Sequence, residues 1–206
     1  MNINNEIIEV YKQLCETPSD INEHLSTLEK YAKNCEHITE MGVRCVVSSF
    51  PLAIANPKTL IGIDLYNPQI ACPAGKSRFE LINKYCDLDN IKYKFIQKNT
   101  LEIEIEDTDL LFIDTFHVYK QLKKELELHG NKAKKYIIFH DTTTYGFNDE
   151  IAGYEQDNIL NEKIFIGLEN KSGLLPAIKE FLDQNTHWSI ENVFTNCNGL
   201  LILKRN

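Results

Sequence analysis

Cysteine pairs at metal-binding spacing are missing from this chain. Its six cysteines (15, 35, 45, 72, 86 and 197) are scattered, with no C-x-x-C among them. That argues against a cysteine zinc centre and leaves free thiols in a reducing compartment as the expectation. No apolar run approaches the ~20 residues that a helix needs to cross a bilayer. The opening Met1-Asn-Ile-Asn-Asn-Glu6 has no basic segment leading into an apolar core, so no secretory signal is expected and the cytoplasm is the expected compartment. A basic stripe is also lacking. The net charge is -8, and the densest basic runs, Lys123-Lys124 and Lys132 to Lys135, sit among acids. Nucleic-acid binding and adhesion to anionic membranes are thereby disfavoured. Finally, there is no G-x-G-x-x-G, which argues against a nicotinamide dinucleotide site, and no internal repeat, low-complexity tract or linker.

What is present is an ordinary globular composition over 206 residues, 43% hydrophobic and 25% charged, enough for one well-buried domain spanning 1–206. Ile3, Ile7, Ile8, Val10, Tyr11 and Leu14 fall at helical spacing. Thr17-Pro18-Ser19-Asp20 stops that helix. Asp20 with Glu23 resembles a capping box opening a second helix, whose apolar face is Ile21, Leu25, Leu28 and Tyr31. Residues 1–34 thus read as a helical cover. A strand and turn follow from His37 to Arg44, then Ser48 and Ser49 as caps of a helix through residues 50–55. Thr59 to Asp64 is a second strand with an acid at its end. A helix from about Ser77 to Cys86 and a third strand over Ile91–Ile96 come next.

Two stretches carry the chemistry. Asp109-Leu-Leu-Phe-Ile-Asp114-Thr-Phe-His117-Val-Tyr119 and Lys135-Tyr-Ile-Ile-Phe-His140-Asp141-Thr-Thr-Thr-Tyr145-Gly146 each begin as a short apolar run and end in acid and imidazole groups. Joined by a charged helix they form a βαβ unit with parallel, doubly buried strands. Ligands in such sheets bind beyond the carboxyl ends of the strands, so Asp114, His117, His140 and Asp141 are expected on one rim. The carboxylates of Asp114 and Asp141 suit a hard divalent cation such as Mg²⁺, while the imidazole of His140 suits Mn²⁺, Fe²⁺ or Zn²⁺ better. His140 is open to two other readings, as a group supporting the ligands or as a substrate contact. Residues 142–172 lack regular pattern and read as a lid or binding loop. A helix over 173–182 and a hairpin, Trp188–Thr195 and Leu200–Leu203 around Asn198-Gly199, close the chain.

With Glu40-Met-Gly42, Asp64 and the terminal hairpin assembled, the chain resembles the class I S-adenosylmethionine-dependent methyltransferases. Phe112-Ile-Asp114-Thr-Phe-His117-Val-Tyr119, His140-Asp141 and Asn198-Gly-Leu narrow the resemblance to small sugar O-methyltransferases, with the macrocin and mycinamicin enzymes and cephalosporin hydroxylase-like proteins among them. The resemblance implies an α/β, Rossmann-like, doubly wound and mostly parallel seven-stranded sheet ending in an antiparallel hairpin. It implies S-adenosylmethionine as cofactor, held by Glu40, Gly42, Arg44 and Ser48 at the methionine end, Asp64 at the ribose, Asn99 at the adenine edge, and Asp114. It implies a divalent metal, Mg or Mn, on Asp114, His140 and Asp141, with His117 three residues after Asp114 as the base, so that His117, Asp114 and Asp141 are catalytic. Tyr119, His140 and Tyr145 are the implied acceptor contacts. The acceptor itself is implied to be the hydroxyl of a sugar or glycan, and a homodimer is left open. The sequence departs from the family in lacking the second and third glycines after Gly42, where Arg44 and Cys45 stand, and in having His140 where the metal-dependent enzymes carry an acid. A metal-independent small-molecule methyltransferase, a nicotinamide oxidoreductase and a non-catalytic nucleoside-binding module are the alternatives.

Overall fold

The computed structural model describes residues 3–151 and 171–206. Its centre is a seven-stranded sheet in the order β3-β2-β1-β4-β5-β7-β6. Strands β1 (His37–Met41), β2 (Thr59–Asp64), β3 (Lys92–Gln97), β4 (Thr108–Ile113) and β5 (Ala133–His140) run parallel. The terminal hairpin, β6 (Trp188–Phe194) and β7 (Leu200–Arg205), inserts β7 antiparallel against β5. This is the Rossmann-like, mostly parallel sheet with an antiparallel end that the sequence led us to expect.

Both faces of the sheet are covered, and the central strands show why. Along β4, Leu110 and Phe112 enter one core while Leu111 and Ile113 enter the other. β7 divides its residues the same way, with Leu200 and Ile202 opposed to Leu201 and Leu203. Such strands read as continuous apolar runs because neither face meets water. The first core packs under α1 (Ile3–Glu16), α2 (Leu25–Ala32), α3 (Ser49–Ile54) and α5 (Gly75–Leu88). The second packs under α6 (Tyr119–His129) and α7 (Leu174–Gln184). A short helix, α4 (Pro68–Ala71), opens at Pro68 behind the Asn67 cap and had no counterpart in the sequence reading.

Three local readings are corrected. The box before α2 is built one residue earlier than Asp20 and Glu23: Ser19 Oγ accepts from Asn22 N at 3.0 Å, and Asn22 Oδ1 accepts from Ser19 N at 3.0 Å. Ser48 and Ser49 do not cap α3 with their side chains, because both hydroxyls donate to Glu40 instead. Cys45 and Cys72 are joined as a disulfide, their Cα atoms 5.7 Å apart, whereas Cys15, Cys35, Cys86 and Cys197 are free. Linear spacing carries no trace of that pair, since the turn after β1 and the α4–α5 turn meet only in the folded chain. Of the lid expected over 142–172, residues 152–170 lie outside the described residues.

Candidate active site

The strand order places the site. Winding reverses between β1 and β4, so the loops leaving these two strands part and open a crevice at their carboxyl ends. Gly42 and Asp114 sit at that reversal. Gly42 has φ +87, and a Cβ there would lie 1.9 Å from the Asp114 carbonyl oxygen. Asp114 N donates to Met41 O, and Gly42 N to Ile63 O, each at 2.9 Å. The glycine is therefore required first by the neighbouring strand end, whatever approaches from the crevice.

A cavity of about 860 Å³ opens from here, and Gly42, Asp64, Asn99, Asp114, His117 and Asp141 border it together with Asp20, Arg44 and Glu150. Asp64 binds its own surroundings tightly: Oδ2 accepts from Val43 N and Arg44 N at 2.8 Å, and Oδ1 from Tyr66 N at 2.9 Å. It thus shapes the turn after β1, where Arg44 and Val46 take left-handed φ of 40 and 60. Asn99 caps a 3-10 turn, its Oδ1 accepting from Leu101 N at 3.0 Å. Arg44 is exposed and faces Asp20 at 3.9 Å. Ser48 borders the cavity. Glu40 lies behind it, fully buried under Ser48 and Ser49, and burial pushes its carboxyl up to about 7 despite the two hydroxyl donors.

The acid and imidazole groups at the two strand ends meet on one rim. His117 Nε2 lies 2.9 Å from Asp141 Oδ2 and 3.2 Å from Asp114 Oδ1. Its Nδ1 donates to Glu150 Oε2 at 2.8 Å, while its carbonyl accepts from Glu150 N at 2.9 Å. The Tyr145 ring stacks on His117 with centroids 4.9 Å apart, and so reaches the site through the imidazole. His140 is buried with Nε2 on the Asp20 and Cys197 carbonyls, at 3.0 and 3.3 Å. Its Nδ1 faces Asp114 Oδ1 and Asp141 Oδ2 at 3.3 and 3.2 Å. Asp141 itself holds a left-handed φ of 60, a conformation aspartate tolerates, directly after β5.

Electrostatics follow from the geometry. Burial opposes charge on both imidazoles, yet Asp114, Asp141 and Glu150 override it on His117, and Asp114 and Asp141 override it on His140, so both titrate well above the usual imidazole range. Burial likewise works against ionised Asp114 and Asp141, and the two histidines outweigh it, holding both carboxyls below the ordinary range. Two imidazolium protons on two aspartates carry the charge of one divalent cation. The donor set fits such an ion: Asp114, His140 and Asp141 bring their ligand atoms within 4.8 Å of one another. The Asp20 carbonyl fixes His140 so that Nδ1 is the available ligand. In addition Asp141 Oδ1 and Thr142 Oγ1 are buried with no hydrogen-bond partner among the described residues, so both keep capacity for a further contact.

Tyr119 lies elsewhere. It is buried at the start of α6, its hydroxyl donating to Glu180 at 2.9 Å and its amide to Asp149 at 2.7 Å. Sequence reasoning missed Glu150, which sits in an unpatterned loop where no spacing rule singles out one acid. It also missed the buried Glu125, which reads as one more charge on a solvated helix.

No protein-family model matches the chain, and no curated protein matches its sequence. Solved structures do match its fold. An O-methyltransferase from Bacillus cereus in complex with SAH aligns over 100% of this chain and 91% of its own, with 12% identity and a TM-score of 0.57. A protein described as a candidate caffeoyl-CoA O-methyltransferase from Staphylococcus aureus aligns over 100% and 93%, with 17% identity and a TM-score of 0.58. TomG from Streptomyces achromogenes, an O-methyltransferase involved in tomaymycin synthesis and solved with SAM, aligns over 100% and 90% at 12% identity and a TM-score of 0.54. The fold is that of the class I O-methyltransferases.

Proposed function

We propose that the protein is an S-adenosylmethionine-dependent O-methyltransferase that methylates a hydroxyl of a sugar or glycan. The observation that carries this reading is the meeting of Asp114, His117, Asp141 and Glu150 beside the winding reversal, on a cavity that Asp64 and Asn99 also border. In this reading Gly42, Arg44 and Ser48 surround the methionine end, with Glu40 buried behind them and holding Ser48, while Asp64 takes the ribose and Asn99 the base. Methyl transfer from a sulfonium is an in-line displacement, so the chain has to align an acceptor oxygen and receive its proton. A polyol acceptor finds hydrogen-bonding partners in Asp20, Asp141 and Glu150, which border the cavity.

An imidazolium cannot act as a base. The reading therefore assigns a divalent cation, Mg²⁺ or Mn²⁺, to Asp114, His140 and Asp141, the residues whose donor atoms fit it. When bound, such an ion supplies Lewis-acid activation of an acceptor hydroxyl. With the aspartates neutralised by such an ion, His117 would be neutral, Glu150 would hold its Nδ1–H, and Nε2 would be the atom left to take the acceptor's proton. A metal-independent reading also has an observation in its favour, because His117 Nε2 by itself bridges both aspartates.

Calorimetry with S-adenosylmethionine and S-adenosylhomocysteine, run with Mn²⁺ or Mg²⁺ and then with chelator, tests the cofactor. Absence of binding under every condition overturns the class. Turnover on nucleotide sugars and glycans with vicinal hydroxyls follows, and turnover indifferent to chelator overturns the metal assignment. His117→Ala is expected to keep cofactor affinity within about threefold and to lose about 10²- to 10⁴-fold in kcat. A variant that retains most of the wild-type rate removes His117 from the role of base.

A further inference from the structure

Beyond Asn99 the cavity wall rests on a buried acid. Glu125, fully buried on α6, accepts from Thr100 Oγ1 at 2.6 Å, from Gln121 Nε2 at 2.8 Å and from Thr115 Oγ1 at 2.8 Å. Gln121 Nε2 also donates to Thr100 Oγ1 at 3.1 Å. Thr100, Thr115 and Gln121 all border the cavity, so one carboxylate under the surface holds three lining side chains.

Accounting for the hydrogens orients the Gln121 amide. Each threonine hydroxyl spends its single proton on Glu125. Thr100 Oγ1 is then an acceptor towards Gln121, and both hydrogens of the Gln121 amide are used, one on Thr100 and one on Glu125. The flipped amide would set its carbonyl oxygen against a carboxylate oxygen and against a hydroxyl with no proton left to give. Gln121 is 5% exposed, and its Oε1 is the polar atom of this cluster that has no donor among the contacts just described. At Gln121 the wall thus offers an acceptor, with both amide hydrogens already spent.

We infer that Gln121 is the specificity-determining residue for the cofactor's base: its Oε1 accepts a hydrogen bond from the exocyclic 6-amino group of a purine, with Glu125 as the positioning residue that prevents the amide from turning. The inference rests on the methyltransferase reading and deepens it, since it distinguishes a 6-amino from a 6-oxo base. An oxo group at that position would meet the carbonyl oxygen acceptor to acceptor, at the cost of a buried hydrogen bond left unmade.

The test is calorimetric titration of the wild-type chain with S-adenosylhomocysteine and with S-inosylhomocysteine, its 6-oxo analogue. The adenosyl ligand is expected to bind more than about tenfold more tightly. Gln121→Met, which keeps the side-chain volume and removes the acceptor, is expected to bring the two affinities within about threefold of each other. Glu125→Gln supplies a second variant: its amide can donate to Gln121 Oε1, so the preference for the adenosyl ligand falls there too. Both are read as a ratio of two ligands on one protein, which a general loss of packing does not move. Equal affinities in the wild type, or a wild-type ratio retained by the folded variants, overturn the inference while leaving the methyltransferase reading intact. If neither ligand binds the wild type, the methyltransferase reading falls and takes this inference with it.

Discussion

Replacing Gly42 by alanine puts the strand-end geometry to a quantitative test. A left-handed φ at a non-glycine residue costs about 1–2 kcal/mol, and Gly42 stands at φ +87. The added Cβ meets backbone and not a flexible side chain: Asp114 O at 1.9 Å and Asp114 C at 2.6 Å. Relief requires the ends of β1 and β4 to part by more than an ångström, which strains the bonds from Asp114 N to Met41 O and from Gly42 N to Ile63 O, both 2.9 Å. Those two bonds are worth about 0.5–1.5 kcal/mol each. The sum is about 2–5 kcal/mol, a large part of the 5–15 kcal/mol by which domains are typically stable. Gly62→Ala is the control, because its Cβ meets side chains and no backbone: Val43 Cγ2 at 3.0 Å, which can give way, and Tyr93 and Phe95 at ordinary contact distances of 3.6 and 3.7 Å. Urea unfolding of both variants reads the difference, and calorimetry with S-adenosylhomocysteine reads the loop. A Gly42→Ala protein within about 1 kcal/mol of wild type would refute the reasoning. So would one no less stable than Gly62→Ala.

Further expectations concern single groups. Asp149 Oδ1 accepts from Tyr119 N at 2.7 Å and from Gly173 N at 2.6 Å, capping α6 and tying it to the start of α7. Asp149→Ala is expected to cost about 2–4 kcal/mol in urea unfolding, and a loss below about 0.5 kcal/mol rejects the double cap. Glu40 is buried with its carboxyl raised from 4.5 to about 7. Since the raised value means that the folded state holds the proton more tightly, this contribution is complete below about pH 4.5 and declines until about pH 7. Relative to Glu40→Gln, the wild type should lose roughly 3 kcal/mol across that window in unfolding experiments, and a flat difference rejects the burial argument.

The sequence by itself determined the alternation of the architecture and the two strand ends that carry the chemistry. Leu110-Leu-Phe-Ile113 and Ile137-Ile-Phe139 are buried on both faces, and apolar runs of that length ending at Asp114 and His140-Asp141 are readable without coordinates because burial in a parallel sheet demands them. Asn198-Gly199 likewise marked the hairpin, where three consecutive residues, Cys197 to Gly199, do adopt positive φ. What only the tertiary structure decided are relations between segments far apart in the chain. Gly42 reads as a glycine facing a ligand, and folding places the Asp114 carbonyl against it. Glu150 reads as one acid in an unpatterned loop, and folding brings it to His117 Nδ1, 33 residues away. Glu125 reads as a surface charge on a helix of alternating lysines and acids, and burial turns it into the anchor of Gln121, Thr100 and Thr115. The Cys45–Cys72 pair belongs with them. Periodicity reports which face of an element is buried. Which distant donor meets which acceptor depends on loop paths across the sheet, and no local pattern encodes those.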